Sequence, residues 1–329
     1  MLAHSRDEHV SQVLKSLTRA RGIEDHELIA VLDGKWPKTL GAINALVNPA
    51  IMIEAVHAEG LFPRARILKN LQVGLTLAFD VFDAPYCVVI EDDIVVSEDF
   101  LEFVKSAYTL SKKDPLFRAI NGFSVLQPSA EHPVGAYLRL NYGVGCGWAL
   151  PRSTYRKIEH LFSWDGDYHW DGLIEPCIRT GYVINPIRSR VLNIGFDGSG
   201  AHSGSEADQQ LGREMQTSLL QENEWSSTPQ NLQKASLPFG WRQDAISLDS
   251  LSPMSRIAVY LVGRALWTLT LIHHWLDQRK SLLIAPRVRA MKKLITRRTL
   301  PHLGSLSRRA ARVPRRSTLW LRDRRPEKG

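Results

Sequence analysis

Cysteine is scarce in this chain, and none of the patterns that cysteine-rich sites require is present. Cys87, Cys146 and Cys177 are the three cysteines among 329 residues, and no CxxC pair and no zinc-ligand spacing with histidine occurs. These absences exclude a disulfide scaffold and argue against a structural zinc site. We expect reduced, partly buried thiols, no secretory signal at residues 1–4, and therefore a cytoplasmic location.

Acidic residues are nearly missing from the end of the chain. Residues 287–329 contain fifteen Lys or Arg and two acids, a net charge of +13, whereas the whole chain carries +8. The preceding 286 residues are therefore mildly acidic, at −5. Because Trp320 is the one aromatic residue in this tail and an acidic body repels phosphate, we expect no nucleic-acid partner.

Internal repeats are also absent, and the first two hundred residues alternate short apolar runs with helical patterns. This alternation is typical of parallel strands joined by helices. We predict strands at residues 1–4, 28–32, 86–90, 118–120 and 137–140, and helices at residues 7–19, 67–79 and 97–111 and from residue 153. Asp7 and Ser97 are the predicted N-caps of two of these helices. The predicted fold class is α/β, with a mostly parallel sheet flanked by helices.

The strongest local signal is the triplet Glu91-Asp92-Asp93, which follows a buried apolar strand. Three adjacent carboxylates repel one another, so a cation is their natural compensation. Oxygen ligands favour Mg²⁺ or Mn²⁺ sharing its coordination shell with substrate phosphates. The alternative is a solvated acidic loop that leads into a helix.

Two other strand ends would meet this triplet at the crevice of a doubly wound sheet. Arg6 follows the first strand and could bind a diphosphate, and Asp33 follows the second and could accept from a uracil N–H or a ribose hydroxyl. Either side chain could instead be a capping or surface residue. Further along, Asp171 follows Trp170 and is suited to general-base work, with an N-cap role as the alternative.

Asp165 and Asp167 are rivals of Asp171 for the role of base. His202 lies in a glycine- and serine-rich stretch that could close over a phosphate, or could simply be exposed. The sequence leaves these assignments open.

The order of these motifs, with Gly145-Cys146-Gly147-Trp148 between the acidic triplet and Trp170-Asp171, resembles glycosyltransferase family 13. The likeness covers about residues 1–205, and residues 84–99 are its most specific part. Members of this family are β-1,2-N-acetylglucosaminyltransferases with the GT-A fold. They are inverting, Mn²⁺-dependent enzymes that use UDP-N-acetylglucosamine.

The resemblance implies a role for each matched residue. Asp93 would be the direct ligand of Mn²⁺ or Mg²⁺, and Asp171 would be the catalytic base. The remaining matched residues would bind the UDP-sugar donor or line the floor of the sugar site: Arg6, Asp33, Asn70, Glu91, Asp92, Gly147 and Trp148. Asn70 departs from the family, which tends to have a nucleotide-contacting histidine there, and the stretch after Asp171 is less acidic and aromatic.

On this reading the chain divides into five parts. Residues 1–105 form the nucleotide-sugar-binding half of the GT-A domain and residues 106–205 the acceptor-binding half. Residues 206–250 are a polar linker, 251–286 an apolar amphipathic helix and 287–329 the basic tail. The expected function is sugar transfer from a UDP-sugar, with N-acetylglucosamine as the best guess, to a glycan, lipid-linked or polysaccharide acceptor. The alternatives are an inactive nucleotide-sugar or glycan binder and a sugar nucleotidyltransferase.

The most apolar stretch, residues 257–276, approaches the length of a membrane span. Charged and polar residues interrupt it, and some of them form one stripe at helical spacing: Gly263, Thr270, His274 and Asp277. Trp267 and Trp275 are typical of a membrane interface. We therefore expect an interfacial helix that, with the basic tail, attaches the protein peripherally to the inner face of an anionic cytoplasmic membrane. A core helix packed on the catalytic body is the alternative.

Overall fold

The computed structural model describes residues 1–57, 61–124, 135–141, 145–163, 170–195, 233–234 and 252–278. Its strands are β1 (Leu2–Ala3), β2 (Ile29–Asp33), β3 (Ile51–Ala55), β4 (Tyr86–Val89), β5 (Ile94–Val96), β6 (Phe117–Asn121), β7 (Ala136–Leu140), β8 (Trp148–Pro151), β9 (Tyr182–Pro186), β10 (Val191–Asn193) and β11 (Gln233–Lys234). Its α-helices are α1 (Asp7–Leu17), α2 (Pro37–Leu46), α3 (Pro63–Thr76), α4 (Phe100–Ser111), α5 (Arg152–Ile158), α6 (Trp170–Ile178) and α7 (Pro253–Gln278).

The central sheet has a parallel half and a mixed half. Strands β1, β2 and β3 are parallel neighbours in that order, and a bridge between Leu2 and Glu91 joins β1 to the end of β4. Beyond β4 the order is β8, β6, β9, β7 and β11, with three antiparallel pairs and two parallel ones. The sheet is therefore mixed α/β, and the prediction of a mostly parallel sheet is wrong for its second half.

Helices cover both faces of this sheet, and each face has its own apolar core. On one face α1 buries Val10, Val13, Leu14 and Leu17 at helical spacing and packs beside α2, and α4 contributes to the same core. On the other face α3, α5, α6 and α7 contribute side chains to the second core, among them Leu68, Leu71, Tyr155 and Ile174. The three layers leave one edge of the sheet, where β1, β2 and β4 end, for polar residues.

Several predicted helix boundaries need correction. Asp7 is the first residue of α1 and Arg6 precedes it, so Asp7 adds charge to the first turn rather than capping it. Asp99, not Ser97, immediately precedes α4, and the Ser97 hydroxyl donates to Asp99 Oδ1 at 2.6 Å. The prediction missed α2 and β3, and it missed β11, which lies in the stretch predicted as a polar linker.

Helix α7 packs against α6. Residues Pro253–Ile272 have the length and mean hydropathy, 1.2, of a membrane span, but part of this stretch is buried against the protein. Gly263 and Thr270, predicted to form a polar stripe, are buried and face the body, and Trp267 contacts His160 instead of a membrane interface. The prediction that Trp267 is an interface residue is therefore wrong. Trp275 and His274 have side chains outside the described residues.

Gly263 allows α7 to lie this close to α6. A methyl group at this position would overlap the carbonyl oxygen of Arg179 and come within 2.7 Å of its carbonyl carbon. We expect Gly263→Ala to lower the free energy of unfolding by about 1–3 kcal/mol, because backbone must move to admit the methyl group. Denaturant unfolding measures this change. Gly41→Ala is the matched control: Gly41 lies in α2 with nothing within 4 Å of the added carbon, so equal or higher stability is expected.

Candidate active site

Three parallel strands bring polar residues to the same edge of the sheet. His4 and Arg6 follow β1, Asp33 ends β2, and the acidic triplet of residues 91–93 follows β4. Because the carboxyl ends of neighbouring parallel strands meet, these residues lie together, as the sequence predicted. They form two groups. We call Arg6 with residues 91–93 the acidic cluster, and Asp33 with the side chains that contact it the Asp33 cluster.

The acidic cluster is built around Arg6. Its Nη2 donates to Asp92 Oδ1 and lies 3.1 Å from Asp93 Oδ2. The backbone N–H of His4 donates to the other Asp92 oxygen at 2.9 Å. The compensating cation that the carboxylates require is therefore supplied in part by the chain itself.

One guanidinium does not balance three carboxylates. Burial, together with the neighbouring Asp93 and Asp92, raises the pKa of Glu91 to about 8. Burial also raises the pKa of Asp93, although Arg6 opposes the shift. The raised pKa values mean that these carboxyl groups resist ionising together, and a further cation would favour their ionised forms.

Two atoms of this cluster are buried without a hydrogen-bond partner among the described residues: Asp93 Oδ1 and Arg6 Nη1. An unsatisfied carboxylate oxygen and an unsatisfied guanidinium nitrogen in the same cluster fit a cation and an anionic oxygen that bind together. The donors are all oxygens, which suits Mg²⁺ or Mn²⁺. Among the described residues no three His, Cys, Asp or Glu side chains form a complete metal site, so such an ion would need substrate oxygens or water to complete its shell.

The Asp33 cluster contains two residues that the sequence analysis did not single out. Arg66 of α3 binds Asp33 through two nitrogens, with Nη2 2.6 Å and Nε 3.0 Å from Oδ2. His57 Nε2 lies 3.1 Å from Asp33 Oδ1, and His4 Nε2 lies 4.0 Å from Oδ2. Both oxygens of Asp33 are therefore engaged, and a nucleoside would meet a ring of Arg66, His57 and Asp33 rather than a bare carboxylate.

Asn70 lies beneath this ring. It is buried, and its Oδ1 is 3.0 Å from His57 Nε2. His57 follows β3, a strand that the sequence analysis missed, so the loop that carries it could not be assigned to this edge. The sequence did contain one signal for this cluster: Asp33 and His57 each stand at the end of a short apolar run, and Arg66 lies in the helix that follows.

An aromatic pair stands beside the two clusters. The rings of His4 and Trp36 lie 4.8 Å apart in a tilted arrangement, and Trp36 is partly exposed. The Thr39 hydroxyl donates to the His4 carbonyl at 2.9 Å and holds this turn in place. Trp36 thus offers an accessible apolar surface next to polar groups, an arrangement common in ligand sites.

The turn after β10 closes over the acidic cluster. The Ile194 N–H donates to the Asp93 carbonyl at 2.8 Å, and the Gly195 N–H donates to Asn193 Oδ1 at 2.8 Å. A methyl group at Gly195 would overlap Asp93 Oδ2 and lie 3.0 Å from Arg6 Nη1. The lack of a side chain at Gly195 therefore leaves room for the Arg6–Asp93 pair.

We expect Gly195→Ala to displace Asp93 and to weaken UDP binding in the presence of Mn²⁺ by about tenfold or more, the loss typical when a group that orients a metal ligand is disturbed. Isothermal titration calorimetry measures this change. Gly41→Ala serves again as the control and should leave the affinity unchanged. Equal affinity of Gly195→Ala and the unaltered protein would place the UDP site away from Asp93.

The other predicted site residues lie in packed parts of the sheet or have side chains outside the described residues. Trp148 is buried in β8 beside Val89, within the second core, and Gly147 packs against Val191 of β10. Asp171 is the second residue of α6, so it lies in the first turn and is not the N-cap; its side chain is outside the described residues. Asp165, Asp167 and His202 are also outside them.

The cysteines are free thiols, as predicted. Cys146 lies nearest to the acidic cluster, where burial and the charges of Glu91 and Asp93 raise its pKa to about 12. Such a thiol stays protonated and is a poor nucleophile. Cys146 is therefore not suited to covalent catalysis at this site.

Comparison with known proteins agrees with the motif order. The family model described as the GNT-I family matches residues 27–213, which is more than half of the chain. This chain belongs to the GNT-I family. The match includes Asp33, the acidic triplet and Asp171, and it confirms the resemblance to glycosyltransferase family 13.

A relative from Arabidopsis thaliana, alpha-1,3-mannosyl-glycoprotein 2-beta-N-acetylglucosaminyltransferase, is 25% identical over 136 residues. The aligned part is 41% of this chain and 30% of the relative. The chain thus matches less than a third of the length of this GNT-I family relative.

Proposed function

We propose that this GNT-I family protein transfers a sugar, with inversion, from a UDP-sugar to an acceptor hydroxyl on a glycan or polysaccharide. The observation that carries the proposal is that Arg6 Nη1 and Asp93 Oδ1 are both buried at the strand edge without a hydrogen-bond partner among the described residues. A nucleoside diphosphate would supply an anionic oxygen to Arg6 Nη1, and the divalent cation that accompanies it would bind Asp93 Oδ1.

The strand order supports a GT-A arrangement. Parallel strands β3, β2, β1 and β4 form the nucleotide-binding half, and the acidic triplet follows β4 at the junction with the mixed half. A ligand at this edge would lie outside the carboxyl ends of the strands, where open α/β sheets bind nucleotides.

Different residues would bind different parts of the UDP-sugar donor. Arg6 would donate to a diphosphate oxygen through Nη1 while Nη2 stays with Asp92. Asp33, His57 and Arg66 would contact the nucleoside, with Asn70 fixing the position of His57. Mn²⁺ or Mg²⁺ held by Asp93 would neutralise the charge that develops on the departing UDP.

Asp171 is the proposed general base. Its backbone position in the first turn of α6 is at the positive end of the helix dipole, where a carboxylate is favoured in the ionised form that accepts a proton. It would remove the proton of the acceptor hydroxyl as that oxygen attacks the anomeric carbon from the side opposite UDP. This geometry yields inversion in a single displacement.

N-acetylglucosamine is the proposed sugar, because the Arabidopsis thaliana relative is named for transfer of N-acetylglucosamine to a mannosyl glycoprotein. The test is incubation with UDP-N-acetylglucosamine, Mn²⁺ and a panel of mannose-terminated acceptors, followed by NMR of the product. We expect a β-linked product. UDP binding without transfer to any acceptor would instead indicate a nucleotide-sugar binder, and an α-linked product would exclude inversion.

A further inference from the structure

Helix α7 has an apolar face that the described part of the chain does not cover. While Val259, Gly263, Leu266 and Thr270 face the body, the opposite side of the helix is exposed. Its outward residues recur every three or four positions: Met254, Ile257, Leu261, Ala265, Thr268 and Ile272. Met254 is 75% exposed and Leu261 59%. We call this stripe the outer face of α7.

Cations gather along one border of the outer face. Arg264 of α7 and Lys157 of α5 are both exposed, and Arg118 lies beneath them. Burial lowers the pKa of Lys157, and the nearby charges of Arg118 and Arg264 lower it further. Residues 253–272 contain no Asp or Glu. This border of the helix is therefore positive.

The chain that follows α7 has the same sign of charge. Residues 287–329 carry +13 in sequence, beginning nine residues after the end of the helix at Gln278. An apolar stripe bordered by cations and followed by a basic segment presents apolar and electrostatic attraction together, the two contributions that stable peripheral attachment requires.

We infer that the outer face of α7, with Lys157 and Arg264 at its border, is a docking surface for an anionic lipid bilayer. The outward side chains enter the boundary between headgroups and acyl chains, and the two cations lie against lipid phosphates and carboxylates. Because the inner face of α7 is packed on α6, the helix lies along the membrane rather than across it. The catalytic body is thereby held at the membrane surface.

Charge complementarity favours a bilayer over a second copy of this chain. Two copies meeting through their outer faces would bring Lys157 and Arg264 of one against the same cations of the other. An anionic bilayer instead offers opposite charge over an area as large as the helix.

The test is sedimentation of the full-length protein with vesicles of phosphatidylcholine alone or mixed with phosphatidylserine, at about 0.15 M salt. We expect binding to the mixed vesicles only. Leu261→Asp should lower the partition coefficient by about tenfold or more, since it removes an inserted apolar group and adds a repelled charge. Leu110→Asp is the matched control, because Leu110 is 57% exposed on α4, which packs on the other face of the sheet.

A second pair of variants tests the cations. Lys157→Gln with Arg264→Gln should reduce binding to the mixed vesicles by about tenfold, whereas Lys112→Gln with Lys113→Gln, exposed beyond α4, should have little effect. Thermal unfolding and UDP binding of every variant should match the unaltered protein, so that a loss of vesicle binding is not a loss of fold.

Three results would overturn the inference. The first is no preference for phosphatidylserine. The second is vesicle binding by Leu261→Asp equal to that of Leu110→Asp, which would assign attachment to the basic tail alone. The third is a dimer in sedimentation velocity that Leu261→Asp dissociates, with no vesicle binding, which would make the outer face an interface between copies.

Discussion

Replacing Asp93 with alanine is expected to abolish sugar transfer and to remove the Mn²⁺ dependence of UDP binding. Asp93 carries the unsatisfied buried oxygen of the acidic cluster, whereas Asp92 is already committed to Arg6 and to the His4 backbone. Loss of groups that merely orient a metal ligand typically costs about 10–100-fold in affinity, so loss of the ligand itself should cost at least about 100-fold. Calorimetry with UDP, in Mn²⁺ and in chelator, measures the effect.

The fold should survive this substitution. Arg6 keeps Asp92 as its partner, and burial already raises the pKa of Asp93, which means that its ionised form is disfavoured in the folded protein. Removing that charge is expected to leave the metal-free melting temperature unchanged or slightly higher. Asp25→Ala, at an exposed carboxylate paired with Lys105 near the start of β2, is the control. Unchanged Mn²⁺-dependent UDP affinity in Asp93→Ala would place the metal elsewhere.

Replacing Asp171 with asparagine is expected to lower kcat by about 10²–10⁴-fold while leaving UDP affinity nearly unchanged. Asparagine keeps the size of the side chain and much of its hydrogen bonding but does not accept the acceptor proton. Rates of UDP release at saturating donor and acceptor measure kcat, and calorimetry measures donor binding.

The control for this prediction is the neighbouring aspartate in the same stretch. Asp167→Asn should change kcat much less than Asp171→Asn. A larger drop in Asp167→Asn would transfer the base to Asp167 and show that the motif alignment across this stretch is shifted by four residues.

The position of the site could be predicted from the sequence because three short apolar runs each end in charged residues. Arg6, Asp33 and the acidic triplet follow β1, β2 and β4, and the parallel arrangement of these strands then brings them together. The pairing within the site could not be predicted. The sequence suggested that a metal compensates the carboxylates, but only the structure places Arg6 against Asp92 and Asp93.

The region around β3 was missed for a physical reason. β3 is an edge strand with half-buried residues, so it lacks the fully buried apolar run by which β2 was recognised. Without β3, the loop that carries His57 had no place in the sheet, and the contact between His57 and Asp33 was not foreseen.

Helix α7 was predicted as a helix, but its sides were assigned the wrong way round. Periodicity places Gly263 and Thr270 on one side of the helix and the apolar residues on another. It does not show which of these sides faces the protein. In the structure these small residues allow close packing on the body, and Ile257 and Leu261 are the exposed ones. Tertiary packing, which sequence periodicity does not report, decides the orientation.

Calorimetric titration of the unaltered protein with UDP, with and without Mn²⁺, tests the central claim most directly. If Arg6 and Asp93 form a nucleotide-diphosphate site shared with a divalent cation, UDP should bind with higher affinity in Mn²⁺ than in chelator, and uridine, which lacks the diphosphate, should show no such gain. Equal affinity of UDP in the two conditions, or no UDP binding in either, would contradict the account.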